Sequence, residues 1–406
     1  MTARSPDQFP VVHEPTQEWI ESTNVWAFMQ AHDIDDHEEF LARTTGQHDR
    51  DDAGIEWFWD ELVDYLDLEF DEPYDAVRDD TDGPQFTDWY PGGRLNIAHN
   101  VLDRYAEGDR ADENAIVWEG EPGEVREITF AELHAHSNRV ANYLESVGIG
   151  TGDTVGLYMP MVPEVTSILY GCFKVGAIAV PIFSGFGVDA TATRIEDSEC
   201  SVLFTGDGFY RRGDELTLKD AADAAIAETG HVEDVVVYDR LGSRGEESDA
   251  DVPWNPNRDA WWEDAVGSAA DAYESKSLPS DQESMLLYSS GTTGEPKGIV
   301  HTHAGSLVQP AKELHFGFDL QPDDRFFWVS DIGWMMGPWT LIGTHAFGGT
   351  VFMYEGAPDH PEPDRFWEMI DRHDLTQFGI SPTAIRALRE HGDHWVEKHD
   401  LSSLRL

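Results

Sequence analysis

Ser289 to Gly298 read S-S-G-T-T-G-E-P-K-G, a run whose residue types suit one task, the holding of phosphate oxygens. Gly291, Gly294 and Gly298 let the backbone turn tightly and bring its N–H groups close to an anion. The hydroxyls of Ser289, Ser290, Thr292 and Thr293 can donate to phosphate, and Lys297 adds a compact positive charge. The spacing differs from the common P-loop, in which a Gly-Lys pair is followed by Ser or Thr. Here Pro296 precedes the lysine and Gly298 follows it. Solvated turns use many of these residue types, so the weight falls on the ten ordered positions and on the lysine. Lysine is scarce in this chain, occurring only at 174, 219, 276, 297, 312 and 398.

The elements around the run explain how it is held. Met285–Tyr288 is a short apolar stretch that reads as a strand launching the loop, and Ile299-Val300 resumes it. Upstream, Ala115–Trp118 and Val125–Thr129 read as a hairpin, and Phe130–Val147 as an amphipathic helix closed by Gly148. Strand-like runs follow at Val155–Met159, Ile178–Phe183, Val202–Thr205 and Val235–Tyr238, then at Phe326–Val329, Thr350–Tyr354 and Gln377–Ile380, with helical patterns between them. Such alternation predicts α/β architecture: two parallel-sheet subdomains with flanking helices. The expected division is an acidic, aromatic leader over 1–88 with one helical stretch near Trp57–Leu68, a first subdomain over 89–280, and a second over 281–406 carrying the phosphate loop. Ligands of such sheets bind beyond the carboxyl ends of the strands.

Charge bounds the function classes. The 406 residues hold 79 acids against 27 bases, a net charge of −52, spread along the chain. A field of that sign disfavours phosphate neutralisation on nucleic acid, and self-repulsion of this size is relieved only by salt. The composition reads as that of a cytoplasmic protein from a salt-accumulating halophile. The opening M-T-A-R-S-P-D-Q-F-P has no apolar run of the secretory kind. Val165–Phe183, the most hydrophobic stretch, contains Lys174 and two glycines and reads as a buried helix and strand, not a membrane span. Cys172 and Cys200 are too far apart for a metal motif and read as reduced, buried thiols, so no protein-held metal is expected.

The ten-residue run resembles the signature loop of the AMP-forming adenylate superfamily. Further segments resemble acetyl-CoA synthetase and its short-chain relatives: Tyr90–Tyr105 (Y-P-G-G-R-L-N-I-A-H-N-V-L-D-R-Y), Tyr158–Glu164 (Y-M-P-M-V-P-E), Ser330–Gly337 (S-D-I-G-W-M-M-G), Glu355–Pro358 (E-G-A-P) and Ser381–Leu388 (S-P-T-A-I-R-A-L). The resemblance runs in order from about residue 57 to residue 406. It implies an acyl-CoA synthetase that joins a short-chain carboxylate such as acetate to AMP with ATP and Mg2+, releases pyrophosphate, and passes the acyl group to CoA. Carried over by position, Ser289, Ser290, Gly291, Thr292, Thr293, Gly294 and Lys297 would bind ATP, with Thr292, Thr293 and Lys297 closest to the chemistry. Trp334, Met335 and Met336 would line the acyl pocket, and Ser184, Gly185, Arg211, Arg212 and Asp359 would meet CoA.

Composition alone would place Arg211 on a solvated surface and the Trp-Met-Met run in ordinary core. The chain departs from the family pattern at three points. Met335-Met336 stand where acetate-specific enzymes carry Val-Thr, Asp214 replaces a second arginine of the CoA patch, and Asp359 replaces an asparagine. The resemblance also implies an adenine-binding segment, a ribose-binding aspartate and a mobile C-terminal domain downstream of residue 406. The expectation is therefore a truncated polypeptide, and the competing reading is a non-catalytic fragment or one half of a split enzyme completed by a C-terminal partner chain. A minor reading is a dinucleotide fingerprint at Gly185-Phe-Gly187-Val-Asp-Ala190, with Asp207 as its acidic residue. His301 and His303 do not share a helix face and read as packing residues.

Overall fold

The computed structural model describes residues 14–245, 252–289 and 296–406. Two sheets dominate it. The larger has seven strands in the order Asp259–Trp261, Asp234–Tyr238, Val202–Gly206, Thr154–Tyr158, Ile178–Pro181, Glu283–Ser289 and Lys297–Thr302. All neighbours are parallel except the last pair, an antiparallel hairpin. The smaller sheet has the order Gln377–Gly379, Arg325–Trp328, Thr350–Glu355, Asn114–Gly120 and Val125–Thr129. It is parallel up to its own closing hairpin. The central strands are apolar because both faces are covered: Val155, Leu157, Ala179 and Val180 have no exposed surface.

The parallel α/β class is as expected, and every expected strand is present. The chain does not, however, divide between sheets near residue 280. Glu283–Ser289 joins the first sheet, pairing Met285 with Ala179, whereas the early hairpin 114–129 closes the second. Strand runs reveal their burial, but only long-range pairing decides which sheet receives them. The leader is also richer than one helix: Gln17–Glu21, Asn24–Ala31, His37–Thr44 and Ile55–Tyr65 all form. Thr16, Thr23 and Asp36 cap the first three with side-chain oxygens. Phe28, fully buried, packs edge-on against Phe58, Tyr65 and Phe316, which binds the leader to the main body.

One helix joins the sheets. Pro163–Val175 starts with proline in its first turn, has every residue buried, and ends at Gly176 with φ +77°, a left-handed cap that glycine adopts freely. Its Tyr170 hydroxyl lies 2.6 Å from Nδ1 of His345, and Thr166 lies 3.7 Å from the sulfur of Met353 in the smaller sheet. The Phe130–Ser146 helix packs beside it and opens with a reciprocal capping box between Thr129 and Glu132.

Candidate functional site

The carboxyl ends of the two parallel sheets face a common cavity of about 1080 Å³. On the side of the larger sheet it is lined by Met161, Ser184 and Gly185, which follow its strands, and by Arg211 on a separate two-stranded hairpin; on the side of the smaller it is lined by Asp331, Trp334, Met336 and Glu355. Ligand clefts of doubly wound sheets occupy the same position. Of the expected phosphate run, Ser289 and Lys297 are described, on the antiparallel hairpin at the edge of the larger sheet. Ser289 pairs with Lys297 across that hairpin, Ser289 being half-buried and Lys297 exposed. Because Glu283–Ser289 runs parallel to Ile178–Pro181, the hairpin end points the same way as the segment that continues into Ser184. Ser290, Gly291, Thr292, Thr293 and Gly294 lie outside the described residues.

The loop after Arg325–Trp328 carries the expected acyl-pocket residues. Trp334 and Met336 line the cavity. The Trp334 ring packs 5.5 Å from Phe183 and 5.9 Å from Phe186. Met335 does not reach the cavity; it is 38% exposed and stands outside its lining. Consecutive residues entering the Met336–His345 helix point apart, so the two methionines of one motif cannot share a wall.

Asp331, which sequence reading passed over, locks this loop in place. Its carboxylate accepts from the Ser184 hydroxyl at 2.6 Å and from the Gly333 N–H at 2.8 Å. Burial pushes its carboxyl up to about 6, although those hydrogen bonds and the nearby Arg211 pull the other way. The loops meet closely at Gly333, where an added Cβ would lie 2.1 Å from the Phe183 nitrogen. The hydroxyl expected to meet CoA is therefore already donating within the protein, whereas Gly185 lines the cavity.

The arginines sit on a hairpin of Gly208–Arg211 and Asp214–Thr217, turned by Arg212 and Gly213 at φ +57° and +80°. Arg211 lines the cavity and donates from Nη1 to the Gly356 carbonyl at 2.9 Å. Arg212 forms an ion pair with Asp359 at 2.9 Å, so two residues expected to face CoA face each other. Glu121, another residue that sequence reading missed, fastens this turn: its carboxylate accepts from the Gly213 N–H at 2.8 Å and the Ala357 N–H at 2.6 Å. Burial acts to raise the Glu121 carboxyl, but the N–H groups of Gly213, Ala357 and Arg212 prevail and hold it below the usual range. Behind the hairpin, Arg240 donates to Glu355 at 2.8 Å. Burial still lifts Glu355 to about 7.

Two further expectations meet the structure. Asp207, the acidic residue of the dinucleotide fingerprint, accepts from the backbone N–H groups of Gly208, Arg240, Leu241 and Ser243 and from the Ser243 hydroxyl. A carboxylate so enclosed, 1% exposed, does not face a ribose. His303 is fully buried against Phe173 and accepts from the Ile97 N–H at 3.3 Å. Burial pushes its imidazole down to about 3, a packing role as expected.

A cavity at the carboxyl ends of two parallel sheets defines an α/β protein with the ligand cleft of a doubly wound fold. The chain belongs to the AMP-binding enzyme family, whose model matches residues 102–406. A second model, described as the acetyl-coenzyme A synthetase N-terminus, matches residues 48–101. The acetyl-coenzyme A synthetase of Pyrobaculum aerophilum is 41% identical over 363 residues, covering 87% of this chain and 53% of that protein. That of Chlorobaculum tepidum is 42% identical over 353 residues, covering 86% and 50%. Among solved structures, the acetoacetyl-CoA synthetase from Streptomyces lividans superposes with a TM-score of 0.85 at 29% identity, covering 96% of this chain and 58% of that one. The chain spans about half the length of the curated relatives it matches.

Proposed function

We propose that this chain carries the nucleotide and acyl half of an AMP-forming acyl-CoA synthetase acting on a short-chain carboxylate. A carboxylate oxygen attacks the α-phosphorus of ATP, which enters as its Mg2+ chelate; pyrophosphate leaves, and the thiol of CoA later displaces AMP from the acyl carbon. The protein's task is to position the reactants and offset charge. Ser289 and Lys297, with Ser290 to Gly294 between them, hold the β- and γ-phosphates. Trp334 and Met336 form the acyl wall. Gly185 and Arg211 face CoA, while Arg212, held by Asp359, is a rim cation that CoA phosphate competes to recruit. The observation that supports this reading is the cavity on which the Trp334 loop, the Arg211 hairpin and the 183–185 segment converge.

Pyrophosphate release with acetate, propionate and butyrate in molar KCl tests the proposal. Release above the carboxylate-free background supports it. Adaptation to a salt-rich cytoplasm belongs to the same proposal and rests on the net charge of −52.

A further inference from the structure

Nine acidic side chains are buried among the described residues, and of these only Glu355 keeps a buried oxygen, Oε1, that accepts no hydrogen bond. Glu355 is 3% exposed and lines the cavity. The other acid of that lining, Asp331, is fully engaged: one oxygen takes the Ser184 hydroxyl and the other the Gly333 N–H. Hydroxyls of the same wall are also turned inward, Thr340 donating to the Met336 carbonyl and Tyr354 to the Ala357 carbonyl. Glu355 is the exception.

The second oxygen of Glu355 fixes the side chain. Oε2 accepts from Nε of Arg240 at 2.8 Å, and the same guanidinium pairs through Nη2 with Glu124. Arg240 is itself held between rings, 5.1 Å from the centroid of Trp118 and 4.7 Å from that of Tyr210. One cation therefore serves two carboxyls. Burial raises the Glu355 carboxyl against the pull of Arg240 and of the nearby Tyr210 N–H. A buried acceptor without a donor costs free energy, and a phosphate or carboxylate set beside it would add like-charge repulsion. The group that suits Oε1 is an uncharged donor, an N–H, O–H or S–H.

Position selects the ligand. Glu355 ends the Thr350–Glu355 strand, and the carbonyl of the next residue, Gly356, accepts from Arg211. Tyr210, on the same hairpin as Arg211, covers Arg240. The unmet acceptor thus belongs to a residue beside the hairpin assigned above to CoA, in the wall of the cavity that Trp334 also lines. CoA would bring its phosphates to the arginines and, behind them, an uncharged arm of amide groups that ends in a thiol. We propose that Glu355 is a binding residue for that arm, its Oε1 accepting a hydrogen bond from an amide N–H or from the thiol where the arm enters the cavity. This inference rests on the CoA reading of the Arg211 hairpin.

Calorimetric titration of the 406-residue chain with CoA, and with phosphoadenosine diphosphate, the same nucleotide without the arm, tests it. Glu355→Gln, which keeps the shape and removes the charge, is expected to weaken CoA binding about tenfold and to leave the armless nucleotide within about twofold of wild type. Glu355→Gln binding CoA as tightly as wild type overturns the proposal. Equal weakening of both ligands also overturns it, since Glu355 then only supports the hairpin. Desulfo-CoA, with hydrogen in place of the thiol, separates the two donors. Wild-type affinity that falls to the level of the variant assigns the thiol, and affinity kept at that of CoA assigns an amide N–H. A measurement without substitution guards against misfolding: difference infrared spectroscopy of wild type in the carboxyl region. CoA is expected to shift a carboxyl band that the armless nucleotide leaves in place; identical difference spectra overturn the proposal. Wild type that binds both ligands equally keeps the CoA reading of the hairpin and removes Glu355 from it. Wild type that binds neither removes both.

Discussion

The Ser184 hydroxyl donates to the Asp331 carboxylate at 2.6 Å, bridging loops that leave different sheets and lie 147 residues apart in sequence. The same carboxylate takes the Gly333 N–H, so one buried acid sets the distance between the 182–185 segment and the Trp334 loop. Burial lifts that carboxyl from an ordinary 3.8 to about 6. Between those values the folded protein holds a proton that the unfolded chain has released, so the Asp331 contribution to stability falls as pH rises, then levels off above about 6. Asp331→Asn removes the ionised form. Its melting temperature relative to wild type is expected to be higher at pH 8 than at pH 5. Scanning calorimetry at both values checks this, and a difference independent of pH excludes Asp331 as the source.

Glu121 titrates with the opposite sign. Its folded-state carboxyl lies below the ordinary 4.5, so its stabilisation is present above that value and is lost as pH falls through the folded-state value. Both carboxylate oxygens accept N–H groups. Glu121→Gln puts an amide donor against one of them, an unmade buried hydrogen bond worth about 1–3 kcal/mol. The expected result is faster amide exchange in the 208–217 hairpin, with exchange in the Thr154–Tyr158 and Ile178–Pro181 strands unchanged. Equal protection of the hairpin in variant and wild type counts against the clasp.

How far these relationships were legible in the sequence follows from their range. Strands such as Ile178–Pro181 and Val202–Gly206 announce themselves, since burial on both faces demands a continuous apolar run. The family was legible because its signature segments are local in sequence, and the family match over 102–406 bears it out. Asp331 and Glu121 were not, because each acquires meaning only from partners brought in by folding. Asp331 looks like a solvated loop acid until Ser184 arrives, and Glu121 like a hairpin-turn residue until Gly213 and Ala357 close on it. The same limit explains the Glu283–Ser289 strand, whose composition cannot name Ala179 as its neighbour. The short leader helices carry caps but little apolar periodicity, so only one of them stood out.

Lys297 lies exposed at the start of an edge strand. Lys297→Ala therefore removes a charge without opening a cavity. The expected outcome is unchanged melting and ATP binding weakened about tenfold, the equivalent of about 1.4 kcal/mol. Calorimetric titration of Mg-ATP, with circular dichroism as the folding control, measures both. Unchanged ATP affinity removes Lys297 from the site.

A net charge of −52 on 406 residues makes the compact state repel itself wherever counterions are dilute. The Debye length shortens from about 10 Å at 0.1 M salt to about 3 Å at 1 M, so most of that repulsion is screened by molar KCl. The melting temperature is expected to climb steeply between 0.1 and 1 M KCl and more slowly beyond. Neutral sucrose at matched water activity is expected to reproduce little of the rise. A melting temperature flat in KCl shows that the acidic surface is not what limits stability.

Gly333 tests the contact between the loops without touching a charge. A Cβ there would fall 2.1 Å from the nitrogen and 2.4 Å from the Cα of Phe183. Both are backbone atoms continuing a central strand, so no flexible side chain can yield, and the 330–337 loop must move instead. Gly333→Ala is expected to cost about 1–3 kcal/mol, the usual range for overpacking, and to shift Trp334 away from Phe183. Near-ultraviolet circular dichroism, compared with Trp334→Phe, reports that shift. Pyrophosphate binding, which the proposed function assigns to the hairpin at Lys297, is expected to persist, while carboxylate binding weakens. Loss of both together identifies general unfolding; loss of carboxylate binding alone places the acyl wall on the loop that Asp331 and Gly333 hold against Phe183.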